Sequence, residues 1–163
     1  MTVQIASTAR ISKFADIEPS IRGTRVSIGE NTVIDSFVKI KPAGGNGDVV
    51  IGDNVVINSG CVIYSGNGLT IGNSVAIAAN CVFAPTNHAY MDRDTPIREQ
   101  GFLPSRGGII IEDDVWIGAG CVFLDGSIVR KGAVIGAMSL VRGEVEAYNV
   151  CYGQPLRVLA RRK

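Results

Sequence analysis

The stretch IGDNVVINSGCVIYSGNGLTIGNSVAIAANCVF, residues 51–83, decides the fold. In it Ile51, Ile57 and Ile63 stand six residues apart, and so do Ile71, Ile77 and Phe83. The hexads IGDNVV, INSGCV, IGNSVA and IAANCV share an aliphatic first position, a small or polar second and a small or β-branched fifth. Such alternation predicts short strands. Glycine and asparagine between them supply turns with positive φ. Three short strands per turn, stacked as parallel rungs about 4.8 Å apart, make a triangular β-helix. The aliphatic column then fills the axis, and the fifth residue of each hexad tucks inside a corner.

The same period runs outward in both directions. Towards the N-terminus it gives Ile5, Ile11, Ile17 and then Ile28, Ile34, Ile40. Towards the C-terminus it gives Ile111, Ile117, Phe123 and then Val129, Ile135, Val141. Spacing within each triplet is fixed, and extra residues fall only between triplets. Insertions are therefore expected at one corner of a three-sided object. A β-sandwich needs irregular strands and hairpins, and a leucine-rich solenoid needs a longer period, so neither fits. The expectation is one all-β domain over residues 1–163, with about six coils over residues 5–145. A long loop spans 84–108, and a basic tail spans 146–163 after the pattern decays.

With 163 residues, 16 Lys and Arg against 15 Asp and Glu, the chain carries no strong field that would suit nucleic acid. No apolar run is long enough for a signal peptide or a membrane span, so a cytoplasmic protein is expected. Four cysteines without CxxC spacing read as free thiols rather than as disulfides or a zinc site. Cys61, Cys81 and Cys121 share the fifth position of the second hexad in their coils and should stack in one column as small apolar corner residues.

The loop 84–108 is the one long excursion, and it holds the only histidine, His88. A strict scaffold interrupted once presents that segment for use. An imidazole can take up and return a proton near neutrality, so His88 is the chain's one candidate for general acid–base work of that kind.

Together PTNHAY, PIREQG, DDVWIGAGC, VIGAMSLV and GQPLRV resemble the hexapeptide-repeat acyltransferases. The likeness covers nearly the whole chain. It is closest, from about Ile71 to Arg157, to the sugar and polysaccharide O-acetyltransferase branch related to the galactoside and maltose enzymes. It implies a left-handed parallel β-helix, acetyl-coenzyme A as donor, a homotrimer with sites between subunits, and no metal. It assigns His88 as general base, the Ala119 backbone N–H as oxyanion donor, and Trp116 as a wall beside the acetyl group. Gly118, Ala119 and Ala137 would let a pantetheine arm lie against the backbone. Arg142, Arg157 and Arg161 would meet the coenzyme's phosphates. Asn58 would orient His88, with Asp92 and Glu99 as rivals inside the loop. Tyr90, Arg93, Arg98 and Gln100 would line the acceptor pocket. The chain departs from the family pattern at VRGEVEA (141–147) and GQPL (153–156).

The expected reaction is acetylation of a sugar hydroxyl on a polysaccharide, O-antigen or nucleotide-linked sugar. N-acetylation of an amino sugar is the alternative within enzymes. A zinc carbonic anhydrase on this fold needs three histidines. A silent β-helical scaffold subunit would keep the hexads and would have no need of His88, the VWIG coil or the basic tail.

Overall fold

A computed structural model describes residues 3–163. The chain winds into three parallel sheets. The first face stacks Val3–Ile5, Val26–Ile28, Val49–Ile51, Leu69–Ile71, Ile109–Ile111, Ser127–Val129 and Glu144–Val145. The second stacks Arg10–Ile11, Val33–Ile34, Val56–Ile57, Ala76–Ile77, Trp116–Ile117, Val134–Ile135 and Asn149–Tyr152. The third runs from Asp16–Ile17 through Lys39–Lys41, Val62–Tyr64, Val82–Ala84 and Val122–Leu124 to Leu140–Val141. Six complete coils result, and two sides of a seventh follow. The register is the one the hexads predict: Ile51, Ile71, Ile111 and Val129 stack in one column, each at most 2% exposed.

The axis is filled by buried aliphatic side chains, with Phe83 and Phe123 stacked at 4.8 Å near the middle. Fifth-position residues Val55, Cys61, Val75, Cys81, Val115 and Cys121 are all buried inside corners. The three stacked thiols each donate to a backbone carbonyl of the next coil: Cys61 to Ala78, Cys81 to Gly118 and Cys121 to Gly136. They are free and buried, as small corner residues should be. The polar third position has its own ladder. The Asp53 carboxylate accepts from Glu30 N–H, the Asn73 side chain from Asp53 N–H, and the Asp113 carboxylate from Asn73 N–H. Turn donors that a strand cannot satisfy are thus paired by side chains.

Every insertion falls at the corner between the third and first faces. Packing there is close enough to demand glycine. A Cβ on Gly45 would lie 2.2 Å from the Gly66 carbonyl oxygen, and one on Gly47 would lie 2.0 Å from the Gly68 nitrogen.

Both ends depart from expectation. Ile5 is 45% exposed rather than interior, because the first rung has a neighbour on one side only. At the other end the column continues through Val145 and Cys151, which pair with Val129 and Ile135. The basic tail is not simply solvated: Arg157–Arg161 turns back antiparallel to Asn149–Tyr152 and covers that sheet edge. Arg162 ties it down, donating to the Asp114 carboxylate at 3.0 Å and to the Gly132 carbonyl at 2.8 Å.

Candidate active site

The chain leaves the third face at Ala84 and re-enters the first at Ile109. Between these points it forms an arm of two antiparallel limbs. His88 pairs with Phe102, Ala89 N–H donates to the Gly101 carbonyl at 3.0 Å, and Leu103 N–H donates to the Asn87 carbonyl at 2.8 Å. The outgoing limb is held to the coil below by Thr86 Oγ1 donating to the Gly44 carbonyl at 3.1 Å. The returning limb is held from above by Asp125, a carboxylate only 2% exposed. Asp125 accepts from Arg106 N–H at 2.8 Å, Gly108 N–H at 2.9 Å and Asn67 Nδ2 at 3.1 Å. Asp125 was not singled out in the sequence. Its signal is an acidic residue before a glycine, between two triplets, at the insertion corner.

The arm presents two faces. Thr86, His88 and Phe102 face a cavity of about 320 Å³ whose other walls include Tyr64 and Pro85. The His88 ring lies 4.6 Å from that of Phe102, tilted by 47°. An exposed imidazole in a mostly apolar cleft, on an arm tied at both limbs, can take a proton from a bound hydroxyl or amine. Asn87, Tyr90 and Leu103 face the opposite way, towards a second cavity that also includes Arg142.

The other expected residues fall in several places. Asn58 donates its side-chain amide to the Ile77 carbonyl at 2.8 Å, on a coil corner away from the arm's root. Asp92 braces the arm's tip, accepting from Thr95 Oγ1 at 2.7 Å and Asp94 N–H at 2.9 Å. Those bonds hold its carboxyl below the usual range. Gln100 completes the brace, donating to the Asp92 and Thr95 carbonyls at 2.7 Å each. Its amide is therefore spent on the arm's own backbone. Arg98 and Glu99 sit in the 3₁₀ turn Ile97–Glu99, and Arg93 pairs loosely with Asp94 at 3.7 Å in the open.

Trp116 stands on the second face between Ala76 and Val134, 54% exposed. Ala119 occupies the turn from the second to the third face, where among the described residues its N–H has no hydrogen-bond partner. Its carbonyl accepts from Met138 N–H at 2.8 Å. Ala119 and Ala137 are exposed, and their small side chains leave that corner open. Gly118 is buried, and packing explains it: a Cβ there would lie 2.5 Å from Ala137 N. Arg142 lies at the insertion corner, whereas Arg157 and Arg161 lie on the strand that caps the second face. The three guanidinium groups do not converge within one chain. Nor do His88 and Ala119, which belong to different corners of the triangle.

Residues 108–143 match a family described as bacterial transferase hexapeptide (six repeats). A Mycobacterium tuberculosis protein named as an acetyltransferase is 33% identical over 95 residues, 58% of this chain and 31% of its own length. An Escherichia coli protein, WbbJ, whose name places it in lipopolysaccharide biosynthesis as an O-acetyl transferase, is 28% identical over 98 residues, 57% of this chain and 50% of its own. The chain thus spans about a third to a half of these curated relatives. Among solved structures, a variant of AntD, an N-acyltransferase from Bacillus cereus, superposes with a TM-score of 0.81 at 25% identity. The match covers 99% of this chain and 84% of that one, which was crystallised with dTDP-4-amino-4,6-dideoxyglucose and coenzyme A. The all-β fold with three parallel sheets is therefore the left-handed β-helix that the resemblance implied.

Proposed function

We propose that this chain, a member of the hexapeptide-repeat transferase family, moves an acetyl group from acetyl-coenzyme A to a sugar hydroxyl, with His88 as general base. The observation that carries the reading is the placement of the only imidazole. It faces a cleft with aromatic and aliphatic walls, on an arm whose two limbs are separately anchored. The His88 imidazole takes the proton as the acceptor oxygen attacks the thioester carbonyl. The Ala119 N–H, free of other partners among the described residues, receives the oxyanion. His88 then returns the proton to the departing thiolate, so the imidazole ends as it began. Trp116 and the open corner at Ala119 and Ala137 fit a donor lying along the coils, and the donor supplies the acyl thioester.

Since His88 and Ala119 occupy different corners, the reading requires a second copy, and a homotrimer satisfies it by symmetry. The arm's exposed apolar side chains support this: Tyr90 is 61%, Met91 83% and Ile97 57% exposed. Among the described residues no helix is long and apolar enough to cross a membrane. A donor drawn from the coenzyme A pool places the reaction in the cytoplasm. N-acylation of an amino sugar is the second reading, and the match to AntD over 99% of this chain favours it. One assay tests both: release of free thiol from acetyl-coenzyme A over a panel of free, nucleotide-linked and amino sugars. No release with any member refutes the transferase reading, and the productive member decides between oxygen and nitrogen.

A further inference from the structure

The arm that carries His88 has a second, unassigned side. Behind it lies a cavity of about 190 Å³, lined by Asn87, Tyr90, Leu103, Arg106, Asp125 and Arg142 among others. It differs chemically from the His88 cleft, which includes no arginine or lysine. Neither Arg106 nor Arg142 has a salt-bridge partner among the described residues, whereas Arg25, Arg130 and Arg162 are all paired.

Arg106 is also held in place. Its N–H donates to buried Asp125, and its side chain runs against Gly126, where φ is +84°. A Cβ on Gly126 would lie 2.8 Å from Arg106 Cβ and 3.5 Å from its Cδ. The glycine therefore leaves the channel in which the arginine stem lies. The one acid in the wall, Asp125, spends its oxygens on three N–H donors, so it offers an incoming anion little repulsion that those donors do not offset. The other polar residues of the wall are Arg106 and Arg142, with Tyr90 and Asn87 beside them. Guanidinium forks match the oxygens of phosphate.

We infer that this cavity is a phosphate subsite for the acceptor, so that the acceptor is a sugar carried on a phosphate or diphosphate rather than a free sugar. The inference rests on the transferase reading for the word acceptor, but not for the anion site itself. The phosphates of coenzyme A, which the family resemblance would set against Arg142, offer the same chemistry, so the two assignments of Arg142 compete. The acceptor is favoured because the cavity is built on the arm that carries His88, the base that must reach the acceptor's own hydroxyl or amine.

The test is calorimetric titration of inorganic diphosphate and of uridine diphosphate into the full chain, its Arg106→Gln variant and its Arg142→Gln variant. Turnover then follows with a phosphate-linked acceptor. Both side chains are exposed, so melting temperatures should not move. Losing one charge-assisted contact should weaken diphosphate binding about tenfold or more. The KM for the phosphate-linked acceptor should rise in parallel, with the KM for acetyl-coenzyme A unchanged. Three results overturn the inference: no diphosphate binding by the unaltered protein, binding unchanged in both variants, or loss of affinity for acetyl-coenzyme A in place of the acceptor. If diphosphate binds and is lost on substitution while no sugar on the panel is acylated, the anion site stands and the transferase reading falls.

Discussion

Replacing Asp125 isolates what holds the arm. Its carboxylate receives three N–H donors, and they are not equivalent. Gly108 is buried, so water cannot replace its lost acceptor; Arg106 is exposed, so water can; Asn67 is between the two. Leaving one buried donor unpaired costs about 1–3 kcal/mol, and a charged acceptor adds to the loss at the others. Asp125→Ala should therefore destabilise the fold by about 2–4 kcal/mol. For a chain of this size that lowers the melting temperature by about 5–15 °C. Asp125→Asn keeps an oxygen for Gly108 but turns an amide towards Arg106 N–H, so it should fall between the two. The assay is thermal unfolding of all three proteins, with hydrogen exchange followed at Arg106 and Gly108. The amides of the outgoing limb, held by Thr86 to Gly44, should keep their protection. If Asp125→Ala melts with the unaltered protein and its Arg106 and Gly108 amides stay protected, the coil stack rather than the carboxylate fixes the return limb.

His88→Ala should cost about 10²–10⁴-fold in turnover, with donor binding and melting temperature nearly unchanged, since the side chain is exposed and outside the core; near-normal turnover in steady-state kinetics removes it as the base. The thiol column predicts a pH dependence. Cys121 pulls Cys81 down, but Cys61 and burial outweigh it and push Cys81 up to about 11. A folded pKa raised above 9.0 adds stability that is full below that pH and is lost as pH rises through it towards 11. The unfolding midpoint should therefore fall above about pH 9, and Cys81→Ala, itself less stable at neutral pH, should show a shallower fall; equal slopes in the two proteins refute the assignment.

The coils were legible because a β-helix imposes a local rule at every hexad. A buried first position, a corner-filling fifth and a turn-forming fourth each constrain residue type, and the constraint recurs until the period is plain. Asn54, Asn80 and Asp114 at positive φ are that rule seen in the backbone. Where a rung lacks a neighbour the rule weakens. Ile5 keeps the period yet is exposed, and Val145 and Cys151 keep the column after the hexad spelling has dissolved. The arm obeys no period, so its side chains could be ranked only by chemistry. That singled out His88, which does face a cleft, but it could not separate Gln100, spent on the Asp92 and Thr95 carbonyls, from residues free to meet a ligand. Asp125 was invisible for the converse reason: its partners are backbone N–H groups that no side-chain pattern reports.

The corner positions of His88 and Ala119 lead to a test of the shared site. Ala119 precedes Gly120, whose φ is +69°, in a tight turn, and its own φ is not positive. Proline suits the position before such a glycine and lacks an N–H. Ala119→Pro should therefore keep the coil and delete the oxyanion donor. Alone it should be inactive, as should His88→Ala. Unfolded together and reassembled in equal amounts, the two chains form trimers in which some neighbours pair an intact His88 with an intact Ala119 N–H. With random assembly about one quarter of sites regain both groups, so activity should return to about that fraction of the unaltered protein. If both groups acted within one chain, every chain in the mixture would lack one of them. Activity would then stay at the background of the separate variants, and a reassembled mixture at that background refutes the shared site.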